Sequence, residues 1–252
     1  MNVLVLGCGP AGLTATKAAL DAGHEVTVVA KGLRPSRLYG CQYLHAPIPG
    51  YEDAPFVQVS YELNGTPEQY RRKVYGNSWD GPVSPEDLST EHMAWDIRDT
   101  YVRLWRDIMD GYAIRREDMT VGYGMLGRLS KFKPDKTVST IPAFNLCMNY
   151  HHSFRSLVIY ANGATGPDMS QPNHVLCDGT EANAWYRISN VFGYQTTEWP
   201  ITCPENMGAK VTKPLYTDCT CNPEILRVGR YGAWSKSILV HQVYDQVREA
   251  LK

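Results

Sequence analysis

The 252-residue chain lacks the features that mark several large classes of protein. No apolar run approaches the about 18 residues of a membrane span, and the N-terminus lacks the basic start and apolar core of a secretory signal. Positive charge is not in excess, since 25 Lys and Arg residues stand against 26 Asp and Glu residues, which argues against a general nucleic-acid or membrane-surface binder. The seven cysteines show no spacing typical of a disulfide framework. We therefore expect a reduced cytoplasmic protein that acts on a small-molecule substrate, with oligomerisation left open.

The first thirty residues carry the clearest pattern in the chain. Residues 2–6 form a short apolar run that predicts a buried strand, and residues 25–30 predict a second strand. Between them, residues 11–22 place alanines at helical spacing, and Gly23 marks the helix end. Such a β-α-β unit predicts a parallel sheet with a right-handed crossover. The expected fold class is therefore α/β, with a Rossmann-like domain built on a parallel sheet and a smaller β-rich and helical portion.

The later elements are predicted from periodicity and turn residues. Prolines interrupt residues 31–90, which are expected to be mostly loop with short strands. An amphipathic helix is predicted over 91–110, capped by Ser89 and Thr90, and a second over 237–251. Strands are predicted at 136–142, 157–160 and 184–188, with turns at 162–163 and 178–179.

The segment Gly7-Cys8-Gly9-Pro10-Ala11-Gly12 has the GxGxxG pattern, placed after a strand and at the start of a helix. In this context Gly7 allows the tight turn, Gly9 lets a pyrophosphate approach the backbone, and Gly12 lets helix and strand pack closely. The exposed N–H groups and the helix dipole then bind phosphates. We predict that Gly7, Gly9, Pro10, Ala11 and Gly12 bind a dinucleotide.

The acidic residue that usually ends the second strand and binds the adenosine ribose is missing. Its place is taken by Ala30, followed by Lys31, with Arg34 and Arg37 close behind. Either another group holds the ribose, or Lys31 and the arginines bind the 2′-phosphate of NADP. A third interpretation is that these cations are only solvated.

Three segments resemble the two-dinucleotide-binding-domain flavoproteins, and within them a shortened UDP-galactopyranose mutase or amine-oxidase-type flavoenzyme. They are VLVLGCGPAGLTA with HEVTVVAK near the N-terminus, DKTVSTIPAF at 135–144, and RVGRYGAWSKSILVHQVYDQVREAL at 227–251. Residues 39–45 and the Tyr186-Arg187 pair resemble the mutase family more weakly. The resemblance implies an FAD cofactor, with Gly229, Arg230, Gly232 and Trp234 on the flavin side.

Two residues are candidates for catalysis beside such a flavin. His45 is expected to contact the flavin N5 edge or to move a proton, unless it is only a loop histidine bonded to backbone. Arg187 is expected to bind a substrate phosphate or carboxylate with its guanidinium fork, or else to form a structural ion pair.

No metal site is predicted from the sequence. Cys219 and Cys221, taken with the distant Cys203, lack the paired spacing of a zinc ribbon and are interpreted as buried thiols. His151 and His152 are adjacent, and adjacent residues of a strand face opposite ways, so they cannot easily share one ion.

The leading functional hypothesis is an FAD-binding oxidoreductase that transfers hydride between a small polar substrate and flavin N5. The alternatives are a mutase-like enzyme without net redox change, an NADP-binding reductase or sensor, and a nucleotide-binding protein that has lost turnover. Residues 1–45, 119–147 and 205–252 are assigned to the nucleotide domain, and residues 46–118 and 148–204 to the substrate-facing portion.

Overall fold

The computed structural model describes residues 1–40, 43–77, 91–162, 167–203 and 208–252. Its strands are β1 Asn2–Leu6, β2 Glu25–Ala30, β3 Phe56–Asn64, β4 Glu91–Trp95, β5 Arg115–Asp118, β6 Lys136–Ser139, β7 Phe154–Asn162, β8 His174–Asp178, β9 Arg187–Val191, β10 Tyr194–Pro200, β11 Gly208–Thr217 and β12 Ile225–Arg227. Its helices are α1 Pro10–Asp21, α2 Pro67–Tyr75, α3 Ile97–Trp105, α4 Leu126–Leu129, α5 Gly229–Gly232 and α6 Val243–Ala250.

The first sheet is parallel throughout and has five strands in the order β12-β6-β1-β2-β5. Val3 and Val5 of β1 pack into a core formed with α1, α3 and α6, whereas Leu4 and Leu6 pack on the opposite face against residues around α4. Alternate side chains of β1 therefore enter two separate apolar layers, as expected of a strand buried on both faces. The predicted β-α-β unit and the α/β fold class are confirmed.

The second sheet has seven strands in the order β11-β7-β10-β9-β8-β3-β4. Its pairs are antiparallel except for β3 with β8. The chain enters this sheet twice, after β2 and after β6, and returns to the parallel sheet after β4 and after β11. The loops at these crossings therefore bring residues from distant parts of the chain to the junction of the two sheets.

The predicted helix over 91–110 is only partly correct. Glu91–Trp95 is strand β4, and the helix begins after Asp96, whose carboxylate accepts a hydrogen bond from the Arg98 N–H at 2.8 Å. This N-cap fixes the helix start. A π-helical turn, Arg106–Asp110, continues from α3. The cap predicted at residues 89–90 lies outside the described residues.

Other boundaries also differ from the sequence prediction. The long strand β3 and helix α2 occupy part of the region expected to be mostly loop, because Pro67 stands in the first turn of α2 behind a Thr66–Gln69 capping box. Strand β9 begins only at Arg187, and α6 only at Val243, because Leu239 is still extended. The strand predicted at 157–160 lies inside β7, and position 163 of the predicted turn lies outside the described residues.

The division of the chain into two portions stays a prediction, but sheet membership assigns two segments differently from it. Strand β5, which lies in the 46–118 segment, belongs to the parallel sheet, and strand β11 of the C-terminal segment belongs to the second sheet. Within the residues that the structure describes, no helix has both the length and the apolar character needed to cross a membrane.

The closest backbone packing in the nucleotide turn gives a stability test. A Cβ at Gly12 would lie 2.1 Å from the Gly7 carbonyl oxygen, so Gly12→Ala should destabilise the fold by about 1–3 kcal/mol, as other overpacking changes do. Gly127 in α4 is the matched control, since its Cβ would meet nothing within 4 Å. Urea unfolding of the two variants makes the comparison, and equal stability would contradict the packing described here.

Candidate functional site

A cavity of about 620 Å³ lies at the junction of the two sheets. Its wall is formed by the glycine-rich turn between β1 and α1, by residues of the second sheet and by residues of the C-terminal segment. Of the residues named as candidates from the sequence, the cavity is lined by Gly7, Gly9, Pro10, Ala11, Gly12, Arg37, His45, Arg187 and Arg230. Residues far apart in the chain thus share one ligand-sized space.

The glycine-rich turn leaves room for a ligand at one position only. Gly7 has φ +108°, a conformation that other residues rarely adopt, and Gly12 contacts the Gly7 carbonyl too closely for any side chain. At Gly9, by contrast, a Cβ would meet nothing within 4 Å. Gly9 is also the N-cap of α1 and has no side chain to occupy the first N–H groups of the helix. The turn therefore has the shape and the free donors that a phosphate requires.

Helix α3 contacts this turn through the hydroxyl of Tyr101. The Tyr101 hydroxyl donates a hydrogen bond to the Cys8 carbonyl at 3.1 Å and accepts one from the Ser36 N–H at 3.1 Å. Tyr101 is buried at the contact of α3 with α1. The glycine-rich turn and the loop after β2, which both line the cavity, are thus connected through one phenol.

The C-terminal segment reaches the cavity through Arg230 rather than through its glycines or tryptophan. A Cβ at Gly229 would lie 2.8 Å from the Ala11 Cβ, and one at Gly232 would lie 2.3 Å from the Ser139 carbonyl oxygen. Trp234 is buried outside the cavity, and its indole N–H donates to the Arg155 carbonyl at 3.0 Å. Gly229, Gly232 and Trp234 therefore position this segment instead of lining the ligand space.

Lys31 also lies outside the cavity lining and is exposed. A carboxylate does occur near the end of β2, but it comes from the neighbouring strand β5. Asp118 pairs in register with Ala30 and accepts a hydrogen bond from the Gly32 N–H at 2.9 Å. An acidic group beside this loop is unfavourable for a 2′-phosphate and suitable for a hydroxyl group.

A buried carboxylate, Glu198, pairs with two of the cations that line the cavity. Glu198 on β10 is 1% exposed, and it pairs with Arg187 at 2.5 Å and with Lys213 at 2.6 Å. The Tyr186 hydroxyl donates to it at 2.7 Å. Burial by itself raises the pKa of Glu198, but the Arg187 guanidinium and the Lys213 ammonium hold that pKa well below its ordinary value. The structural ion pair considered for Arg187 is therefore present.

Arg187, Lys213 and Arg230 all line the cavity, and Glu198 neutralises only one of these three positive charges. Burial lowers the pKa of Arg230, and the positive charge of Arg187 lowers it further. The part of the cavity wall that carries Arg187, Lys213 and Arg230 therefore favours an anionic group.

Two histidines and two tyrosines form another part of the cavity wall. The ring centroid of His45 lies 6.0 Å from that of His241 and 4.9 Å from that of Tyr43. The Tyr43 hydroxyl shares a hydrogen bond with the Tyr61 hydroxyl. Burial lowers the pKa of His241 against the opposing charge of Asp245, so its imidazole is neutral at neutral pH and can accept a proton.

Several of these residues were not predicted from the sequence. His241 lies inside the C-terminal segment that carries the family resemblance, but its side-chain direction depends on where α6 begins. Glu198 and Lys213 stand in the strand-like stretches TTEW and VTKP, where a charged residue at an inward position of the alternation is the one available signal. Positions 41 and 42 of the segment 39–45 lie outside the described residues.

The structure also corrects the interpretation of the cysteines as isolated buried thiols. Cys203 lies apart from Cys219 and Cys221 and contacts the Ala184 carbonyl. Cys219 and Cys221 instead form a half-buried cluster with Cys147 and His152, whose ligand atoms all lie within 4.8 Å of one another.

Comparison of the sequence with protein-family models and with curated proteins gives no match. Comparison with solved structures shows that the fold is shared with enzymes. The chain is similar to 2,6-dihydroxypyridine-3-hydroxylase from Arthrobacter nicotinovorans, with a TM-score of 0.57, 11% identity, and coverage of 99% of this chain and 82% of that one. It is similar to the flavin-dependent brominase Bmp2, with a TM-score of 0.53, 9% identity, and coverage of 99% and 76%.

BrvH, a flavin-dependent halogenase from Brevundimonas sp. BAL3, has a TM-score of 0.51 at 11% identity, with coverage of 99% of this chain and 71% of that one. The chain spans 64% of the length of another solved structure that it matches, the peptidyl tryptophan dihydroxylase QhpG. At these identities the likeness shows the fold. The sequence resemblance to the mutase is not shown by these comparisons, whose proteins are a hydroxylase and two halogenating enzymes.

Replacing the buried carboxylate should destabilise the protein strongly. Glu198→Gln leaves Arg187 and Lys213 without a counter-charge at a buried site, which should cost about 3 kcal/mol of unfolding free energy at neutral pH. Urea unfolding measures this cost. Glu249→Gln is the control, since Glu249 pairs with Lys252 at the surface and its loss should leave the stability nearly unchanged.

The same variant has a defined pH dependence. Because the folded-state pKa of Glu198 is lowered, its stabilisation is present above the ordinary glutamate pKa of about 4.3 and is lost as the pH falls further. The wild-type protein should therefore lose more stability than Glu198→Gln between about pH 6 and about pH 3. If the two proteins lost equal stability over this pH range, the pKa of Glu198 would not be lowered by Arg187 and Lys213.

Proposed function

We propose that this chain binds FAD in the cavity between its two sheets and catalyses a flavin-dependent oxidation of a small polar substrate. The observation that carries the proposal is one cavity whose wall contains both a glycine-rich turn of the phosphate-binding type and the positive charges of Arg187, Lys213 and Arg230, with the His241 imidazole also in the wall. Bound FAD would supply the hydride or electron transfer, as the cofactor does in flavoenzymes generally.

The residues around the glycine-rich turn fit a dinucleotide. A Cβ at Gly9 would meet nothing within 4 Å, and no side chain caps the first turn of α1, so the backbone beside Pro10 is open to a ligand. The fold likeness to two flavin-dependent enzymes supports FAD over a nicotinamide cofactor.

The cations of the cavity wall support an anionic substrate. Arg187, Lys213 and Arg230 would bind a carboxylate or phosphate of the substrate, with Glu198 holding the first two in position. His241 would accept the proton that accompanies hydride transfer, because its lowered pKa leaves the imidazole neutral at neutral pH. His45, whose ring centroid lies 6.0 Å from that of His241, is the second candidate for this proton transfer. Tyr43 and Tyr61 would orient the ligand through their shared hydroxyl contact.

The decisive experiment is the visible spectrum of the purified protein, followed by identification of the cofactor released on heating. Flavin absorption with FAD as the released compound is the expected result, and bleaching of that absorption by a small anionic compound under anaerobic conditions would identify a substrate. A colourless protein that also fails to bind added FAD would overturn the proposal.

Blocking the open position at Gly9 should remove the cofactor without unfolding the chain. In Gly9→Val the new side chain would occupy the space where a phosphate approaches, so FAD should bind about 10- to 100-fold more weakly. Gly127→Val is the matched control, because its Cβ also meets nothing within 4 Å and Gly127 does not line the cavity. Flavin fluorescence titration gives both affinities, and unchanged binding in Gly9→Val would place the phosphates elsewhere.

The NADP alternative is tested at Lys31. Since Lys31 is exposed and outside the cavity lining, Lys31→Glu should leave FAD binding unchanged. Thermal shift measurements with FAD and with NADP separate the two cases. Stabilisation of the wild type by NADP that disappears in Lys31→Glu would favour the nicotinamide interpretation.

A further inference from the structure

The second chain crossing between the sheets carries a compact cluster of metal-binding side chains. Cys147 and His152 stand in the loop from β6 to β7, and Cys219 and Cys221 stand in the loop from β11 to β12. One loop leads from the parallel sheet to the second sheet, and the other leads back. All four residues are half-buried, and their ligand atoms lie within 4.8 Å of one another.

The distances within the cluster match the edges of a coordination tetrahedron. Zinc bonds of about 2.3 Å to sulfur and about 2.0–2.1 Å to nitrogen place sulfur atoms about 3.8 Å apart and sulfur about 3.6 Å from nitrogen. Here the Sγ atoms of Cys147 and Cys221 are 4.0 Å apart, and the His152 Nδ1 lies 3.4 Å and 3.6 Å from them. These three distances lie close to the edges of a zinc tetrahedron, and the Cys219 sulfur lies within 4.8 Å of the other three ligand atoms.

The surroundings of the sulfur atoms are those of metal-bound thiolates. The backbone N–H of Met148 donates to the Cys221 sulfur at 3.4 Å, and the N–H of Asn149 donates to the Cys147 sulfur at 3.4 Å. Such donors stabilise the negative charge that a thiolate retains when it binds a cation. The Arg227 guanidinium also donates to the carbonyls of Cys219 and Cys221, which fixes the loop between these two cysteines.

Further hydrogen bonds hold the two loops together independently of a metal. The Asn222 amide donates to the Leu146 carbonyl at 2.7 Å, and the Ser153 N–H donates to the Asp218 carboxylate at 2.8 Å. The four ligand residues are therefore positioned by their own loops. A preformed arrangement of this kind lowers the entropy cost of binding an ion.

From these observations we infer that Cys147, His152, Cys219 and Cys221 bind one zinc ion. A soft, tetrahedral site with three sulfur ligands and one nitrogen ligand selects zinc over the hard cations. Because all four positions are filled by the chain, the site is closed and its role is structural. It connects the loop from β6 to β7, which also contributes Pro142 to the cavity wall, with the loop from β11 to β12.

The zinc content of the protein, purified under reducing conditions and measured by mass spectrometry, tests this inference. We expect about one zinc per chain in the wild type, and at least about a tenfold loss in Cys221→Ser and in His152→Ala. Cys203→Ser and His151→Ala are matched controls that should retain the metal, since neither residue belongs to the cluster. Zinc content that is low in the wild type or equal in all five proteins would overturn the inference.

A second measurement uses the wild-type protein alone, so that it does not depend on whether the variants fold. The wild-type protein is stripped with a chelator and titrated with Co²⁺, which should give the intense visible ligand-field bands of a tetrahedral thiolate site with one ion per chain. Removal of the metal should also lower the melting temperature. Absence of these bands, or a disulfide between Cys147 and Cys221 in the reduced preparation, would contradict a metal site. FAD content measured on the same samples reports on the proposed function separately.

Discussion

The close packing of backbone around the first turn of helix α1 is the constraint on which the rest of the structure depends. Gly12 lies against the Gly7 carbonyl, and Gly229 lies against Ala11, so segments from both ends of the chain meet without intervening side chains. This contact leaves the Gly9 position open toward the cavity. It also carries Arg230 to the cavity wall, where the charges of the second sheet meet it.

The second sheet contributes through electrostatics rather than through close backbone contact. Glu198 on β10 is buried and ionised because Arg187 and Lys213 hold its pKa down. Arg187 stands on the neighbouring strand β9, and Lys213 stands on β11, with β7 between it and β10. The arrangement keeps two flexible cations in fixed positions beside a ligand space, with one positive charge left over. Loss of any one of these charged partners should lower the stability of the fold, and the fixed cations would orient a bound anion strongly.

The cavity and the cysteine and histidine cluster share one crossing between the sheets. The loop from β6 to β7 contributes residues 140–142 to the cavity wall, and it also carries Cys147 and His152. In the proposed function, the open backbone and the positive charges of the cavity suit a dinucleotide and an anionic substrate. A closed metal site would join this loop to the loop from β11 to β12, after which β12 leads to Arg230.

The sequence by itself determined the β-α-β unit, the parallel sheet and the glycine-rich turn, because each depends on the spacing of residues that are close together in the chain. The helix start at Asp96 was missed for a related reason: a helical period of apolar residues also runs through strand β4, and only pairing of β4 with β3 decides between them. Tertiary structure alone decided the partners of Arg187 and of Cys221. Those contacts join strands and loops whose order in the sheets no local pattern encodes, and their energy is realised only when the whole fold excludes water from them.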